Sequence, residues 1–242
     1  MFVDSFRKGQ TWGLDNYIAT FTNPVFRVAL LRTVKVGAIV TVLALLLSYP
    51  ASIALVRSQR KSFYMSLIIF PLMINAVART YAWLVIMGRY GLVNRLLASL
   101  GLSPLQILYT EPAIVIGLLQ LFLPFSILSI VSALENMPPD VEEAARSLGA
   151  NGWRAFLHVV FPLTREGMIF GGSIVFTGCI TAYVTPAMLG GPRVLTLSTL
   201  LYSRVMTLFR WEEGTVIAMV MLVLVFFVHR TLRGRARAGV TV

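Results

Sequence analysis

Five long apolar runs dominate this 242-residue chain, and they decide the solvent in which it folds. They cover residues 34–56, 63–87, 113–134, part of 159–189, and 214–232. A helix needs about 20 mostly apolar residues, each rising about 1.5 Å, to cross a bilayer. The chain is 57% hydrophobic and 13% charged, with a mean hydropathy of +0.79, whereas soluble domains carry about 25% charged residues. A soluble core of this size would need a charged shell that the composition does not supply. The expected fold is therefore all-α, a polytopic membrane bundle of about five spanning helices.

The runs differ in character. Lys35 stands near the start of the first, where its stem can snorkel to the interface. The second carries Asn75 and Arg79, and polar side chains inside a span are functional candidates by default. The last is uncharged only over 214–228, so its helix is expected to start near Trp211 and to use His229 and Arg230 as interfacial anchors. Pro124 and Pro186 are expected to kink or end helices.

A net charge of +11 raises the question of nucleic acid, but the basic residues lie between apolar runs and form no stripe with interleaved aromatics. The clusters Arg57, Arg60, Lys61 and Arg230, Arg233, Arg235, Arg237 each follow an apolar run, as at cytoplasmic ends of spanning helices. The partner they imply is membrane lipid, not nucleic acid. Counted by side, Arg and Lys number ten against nine, which leaves the orientation undecided. Cys179, the single cysteine, lies in an apolar segment and is read as packing. The first ten residues lack the apolar stretch of a signal peptide. The layout is an amino-terminal segment 1–33, a transmembrane domain 34–232 and a basic tail 233–242.

One polar loop, 136–162, has an internal design that suggests two short helices. Pro138 and Pro139 suit a helix start, Asp140, Glu142 and Glu143 favour the helix dipole, and Glu142 lies one turn before Arg146. Gly149 supplies a C-terminal stop. Asn151 can cap the second helix, on which Trp153, Phe156, Leu157 and Val160 fall at helical spacing, and Pro162 marks the entry to the next span. Ala144 and Ala145 leave the first helix open to close approach by another protein. An amphipathic hairpin lying on the membrane is the alternative that periodicity leaves open.

The spacing Glu143-Ala144-Ala145, three residues, Gly149, nine residues, Val159, one residue, Phe161-Pro162 resembles the EAA loop of binding-protein-dependent ABC importers. Arg79-Thr80-Tyr81-Ala82-Trp83 with Gly91 and Asn94, and Thr185-Pro186-Ala187-Met188-Leu189-Gly190-Gly191, look like the spermidine/putrescine-type permeases. The resemblance covers roughly 23–232. It implies a type I, MetI-like permease core of five helices whose loop 136–162 is the cytoplasmic coupling helix. That puts the amino terminus outside and the carboxyl terminus in the cytoplasm of a bacterial inner membrane. Such permeases usually have one more helix at the amino terminus, so the expectation is either a start upstream of residue 1 or a member without that helix.

The motor must be another chain. The lysines are Lys8, Lys35 and Lys61, and none sits in a phosphate-binding Gly-Lys-Ser/Thr loop. His158 and His229 are far apart, no HExxH or GxSxG occurs, and no catalytic or metal residue is proposed. The resemblance implies no cofactor on this chain, with ATP and Mg held by a cytoplasmic ABC ATPase dimer. The further partners are a second permease, of a different chain, and an external substrate-binding protein. Glu143, Ala144, Ala145, Arg146, Gly149 and Pro162 are the ATPase-coupling candidates. Asn75, Arg79, Tyr81, Trp83, Thr181, Tyr183 and Thr185 are the substrate-pathway candidates. The solute is small and organic, polyamine-like or other; the spans offer no midplane carboxylate for a multiply charged cation, and Ala182 stands where some relatives carry an acid. The competing reading is a stand-alone channel or secondary carrier, which would need its own gate and buried coupling-ion carboxylates.

Overall fold

The computed structural model describes residues 7–8, 11–12, 15–138 and 140–237, with side chains up to residue 231 and none in the two short strands. Pro139 and the tail residues 238–242 lie outside the described residues. A short hairpin pairs β1 (Arg7–Lys8) with β2 (Thr11–Trp12). The helices are α1 (Asp15–Thr22), α2 (Pro24–Val56), α3 (Lys61–Met73), α4 (Ala76–Met87), α5 (Leu92–Ser99), α6 (Glu111–Glu135), α7 (Asp140–Ser147), α8 (Gly152–Ala155), α9 (Phe161–Thr181), α10 (Leu197–Tyr202) and α11 (Trp211–Arg237). Wider π-helical turns occupy Phe156–Val160, Pro186–Gly190 and Ser203–Thr207.

Among the described residues four helical runs are long and apolar enough to cross a membrane: Pro24–Val56, Glu111–Glu135, Gly152–Thr181 and Trp211–Thr231. The α3 segment together with Ala76–Ser99 makes a fifth if that bent pair counts as one span. The run 63–87, expected to be continuous, is interrupted at Ile74 and Asn75. Asn75 Oδ1 accepts the Val77 N–H at 2.8 Å and so caps a new helix, α4. The first spanning helix begins ahead of the apolar run that predicts it, at Pro24. Its opening is written in Asn23, whose Oδ1 accepts the Val25 N–H at 2.9 Å, and in Pro24 at the first helical position. Pro50, Pro71 and Pro124 all lie inside helices that continue through them.

The chain divides into two compact units. One comprises 41–73, 119–176 and 228–242. Lipid gives helices no hydrophobic reason to associate, so small residues and hydroxyl bonds must do it. Ser48 and Ser126 hydroxyls lie 2.8 Å apart, Ser52 donates to the Ile127 carbonyl, and Ser129 donates to the Gly167 carbonyl at 2.9 Å. Gly167 allows this closeness, because a Cβ there would fall 2.4 Å from Ala133 Cβ. Around these bonds pack Tyr49, Ile130, Leu134 and Val160 in one cluster and Leu55, Ile127 and Val131 in another.

The other unit comprises 1–40, 74–118 and 177–227, with Met87, Ala113 and Leu189 in a core cluster. Here Glu111, opening α6, takes Arg32 at 3.0 Å and Lys35 at 2.7 Å, both from α2. Arg32 also donates to the Leu195 carbonyl, and Thr33 accepts the Leu197 N–H, so α2 anchors the entrance to α10. A reciprocal Thr196–Thr199 cap fixes the same entrance. Leu46, Phe70, Leu222 and Phe226 stay exposed, as lipid-facing side chains of spanning helices would.

Candidate functional site

The loop between α6 and α9 is closed by hydrogen bonds at both of its turns. Helix α7 opens with Asp140, Glu142 and Glu143 in its first turn and carries Arg146 in its last, matching the helix dipole at each end. Arg146 Nη2 donates to Glu142 Oε1 at 2.8 Å. The helix then closes in a Schellman turn: Ala150 N–H bonds the Ala145 carbonyl and Gly149 N–H bonds that of Arg146. This turn requires positive φ at Gly149, which has φ +86°. Asn151 Oδ1 accepts the Arg154 N–H at 2.8 Å and starts α8.

The second short helix is not a separate element. It passes through the π turn 156–160 into α9, and Pro162 lies at the second position of α9. Proline has no N–H for the carbonyl four residues back, His158, and its ring crowds that carbonyl. The helix widens just ahead of it, where Phe161 N–H bonds Phe156. Phe156 seats the loop in its unit: its ring packs on Tyr49 at 5.6 Å and carries Trp153 stacked on it at 5.6 Å.

The exposed part of the loop is apolar where a soluble partner could grip it. Leu148 is 89% and Trp153 67% exposed. Ala144 is exposed and Ala145 half-buried. Glu143 is exposed and forms no ion pair among the described residues, whereas Glu142 binds both Arg146 and Arg57. Reading the sequence missed Leu148, the Arg57–Glu142 pair and the Tyr49–Thr164 bond. Leu148 carried a signal, a leucine wedged between a charged helix and its glycine stop. The other two are long-range contacts and carried none.

The substrate-pathway candidates all belong to the unit that contains 74–118 and 177–227, but they do not form one cluster. Asn75 is spent on capping α4. Arg79 is half-buried, and its Nε and Nη1 are buried with no hydrogen-bond partner among the described residues. Tyr81 is exposed, and Trp83 packs against the Met87, Ala113 and Leu189 cluster. Thr181 bonds back to its own helix at the Thr177 carbonyl. Tyr183 stacks on Tyr202 with ring centres 4.4 Å apart, and Thr185 is buried with its hydroxyl 3.2 Å from that of Thr80. The last contact ties α4 to the Pro186–Gly190 turn. Among the described residues no group of three or more His, Cys, Asp or Glu is placed to hold a metal ion.

Several apolar spans and a polar loop whose turns are closed by helix caps define a class: a multi-pass membrane protein that displays a built loop outside its spans. Comparison with known proteins makes this specific. Residues 41–232 match the family described as binding-protein-dependent transport system inner membrane component, and the chain belongs to that family. It is 31% identical over 223 residues to the spermidine/putrescine transport system permease protein PotB of Haemophilus influenzae, covering 89% of this chain and 78% of that one. It is 30% identical over 177 residues to the molybdenum transport system permease protein ModB of Mycobacterium bovis, covering 72% and 66%. A crystal structure of a bacterial alginate ABC transporter shares the fold with a TM-score of 0.78 at 17% identity, covering 91% of this chain and 83% of that one.

The protein is thus a multi-pass inner-membrane permease subunit of an ABC importer, with a MetI-like helical core. It is not an enzyme; ATP hydrolysis belongs to a separate ATPase, and a binding protein is the other partner of such importers.

Proposed function

We propose that α7 is the surface on which a cytoplasmic ABC ATPase dimer docks, and that its movement switches the spans between inward-open and outward-open arrangements. The observation that carries this reading is a contrast along α7 and the turn after it: Glu142 is occupied internally, while Ala144 and Leu148 stand bare beside Gly149. Ala144 and Ala145 allow close approach, Glu143 and Arg146 supply polar contacts at the rim, and Gly149 and Pro162 fix the angle at which the helix is presented. The loop then faces the cytoplasm, with the amino terminus outside and the carboxyl terminus inside. ATP and Mg are held by the ATPase, and this chain needs no cofactor.

The solute is small, is delivered by an external binding protein, and crosses between this chain and a second, different permease. The likeness to a spermidine/putrescine permease supports a polyamine-like organic solute. Asn75, Arg79, Tyr81, Trp83, Thr181, Tyr183 and Thr185 remain the pathway residues of this reading, Thr185 through its hold on Thr80. Reconstitution into liposomes with the ATPase, second permease and binding protein tests it. Uptake of spermidine or another small solute that requires all components supports the importer. Uptake by this chain alone, driven by an ion gradient, contradicts it.

A further inference from the structure

The basic residues between α2 and α3 resemble an orientation signal and nothing more, yet two of them have specific partners. Arg57 Nη2 lies 2.9 and 3.0 Å from the two carboxylate oxygens of Glu142, and Lys61 pairs with Glu135. Glu135 is the last residue of α6 and Glu142 the third of α7. These two acids bracket the short connection between α6 and α7. One short stretch of chain, 57–61, therefore holds both ends of that link. Glu142 also takes Arg146, so a single carboxylate joins the end of α2 to both turns of α7.

We propose that 57–61 is a second arm of the coupling loop, in which Arg57 and Lys61 are positioning residues that make α2 and α3 follow α7. This rests on the reading of α7 as the ATPase-docking helix. The covalent connection alone joins α7 to α6 and gives it no tie to α2 or α3. Two ion pairs, one at each end of that connection, add the tie. Exposed pairs add little to stability, so the contribution of this pair set is register and not fold. The end of α2 is moreover held to α9 through Tyr49 and Thr164, so displacement of α7 reaches two spans.

The test uses the assembled complex with spin labels at Gln59 and Ser147, both exposed, in a Cys179→Ala background. Distances are measured with and without a non-hydrolysable ATP analogue, beside the rate of ATP hydrolysis. The arm predicts one narrow distance population that the analogue leaves unchanged, a broadened one in Arg57→Glu and in Glu142→Arg, and recovery in the charge-swapped double. Hydrolysis should change by about threefold in each single variant and return in the double. A distance that shifts with the analogue in the native complex, or singles that match it, overturns the proposal, as does a double no better than the singles. Failure of the docking reading shows separately, as an ATPase that does not co-purify with the native permease.

Discussion

The hydroxyls of Tyr49 and Thr164, 115 residues apart in the chain, lie 2.7 Å from each other in a buried bond between α2 and α9. Thr164 already donates its one proton to the Val160 carbonyl at 2.8 Å. Tyr49 must therefore be the donor. This bond fixes the helix that carries the loop from 136 to 162 against the helix that leads into Arg57.

The direction of that bond makes its two truncations unequal. Tyr49→Phe removes a donor and leaves Thr164 with its own proton placed, at a cost of about 0.5–1.5 kcal/mol. Thr164→Val leaves the Tyr49 O–H buried without an acceptor, which costs about 1–3 kcal/mol. Thermal unfolding of the detergent-solubilised protein should rank Thr164→Val below Tyr49→Phe. The opposite order contradicts the assigned direction.

At Gly167 even one methyl group is too much. A Cβ would lie 2.4 Å from Ala133 Cβ and 2.9 Å from the Ser129 carbonyl. Overpacking of this kind costs about 1–3 kcal/mol. Gly167→Ala should lower the melting temperature, and adding Ala133→Gly should recover part of the loss. An unchanged melting temperature in the single variant would show that α6 and α9 are not in the described contact.

Gly149 separates conformation from bulk, since nothing lies within 4 Å of a Cβ placed there. Its φ of +86° is the whole constraint. Asparagine visits this region routinely, whereas other residues pay roughly 1–2 kcal/mol. Gly149→Asn should keep transport and ATPase stimulation in the assembled complex, and Gly149→Val should lose most of both. Equal activity in the two variants would remove the turn from the mechanism.

Asn75 has a capping task that can be told apart from solute contact. Asp keeps the cap and Ala loses about 1 kcal/mol of it. If capping is its role, Asn75→Asp supports solute uptake at the native rate while Asn75→Ala melts earlier. Uptake that fails in Asn75→Asp at an unchanged melting temperature would show a solute contact beyond the cap.

These residues also mark what a sequence reveals. The Glu142–Arg146 pair, the Asn151 cap and the Gly149 stop were all legible, because each is settled within about one turn of helix. The break at Ile74 and Asn75 was legible in principle, since asparagine before Ala76 is a capping signal, but the apolar run on both sides hid it. Arg57 with Glu142 and Thr80 with Thr185 could not be found by spacing, being 85 and 105 residues apart. The apolar spans tell the chain to enter a membrane; which small residues and hydroxyls face each other inside it depends on packing that local pattern does not encode.

The central claim is that α7 and the turn after it touch the ATPase. Leu148, 89% exposed, is the most direct reporter. A photo-cross-linking amino acid placed at position 148 in the assembled complex should give, on illumination, a covalent adduct with the mass of this chain plus the ATPase. Adducts with lipid or with the second permease alone, and none with the ATPase, would contradict the account.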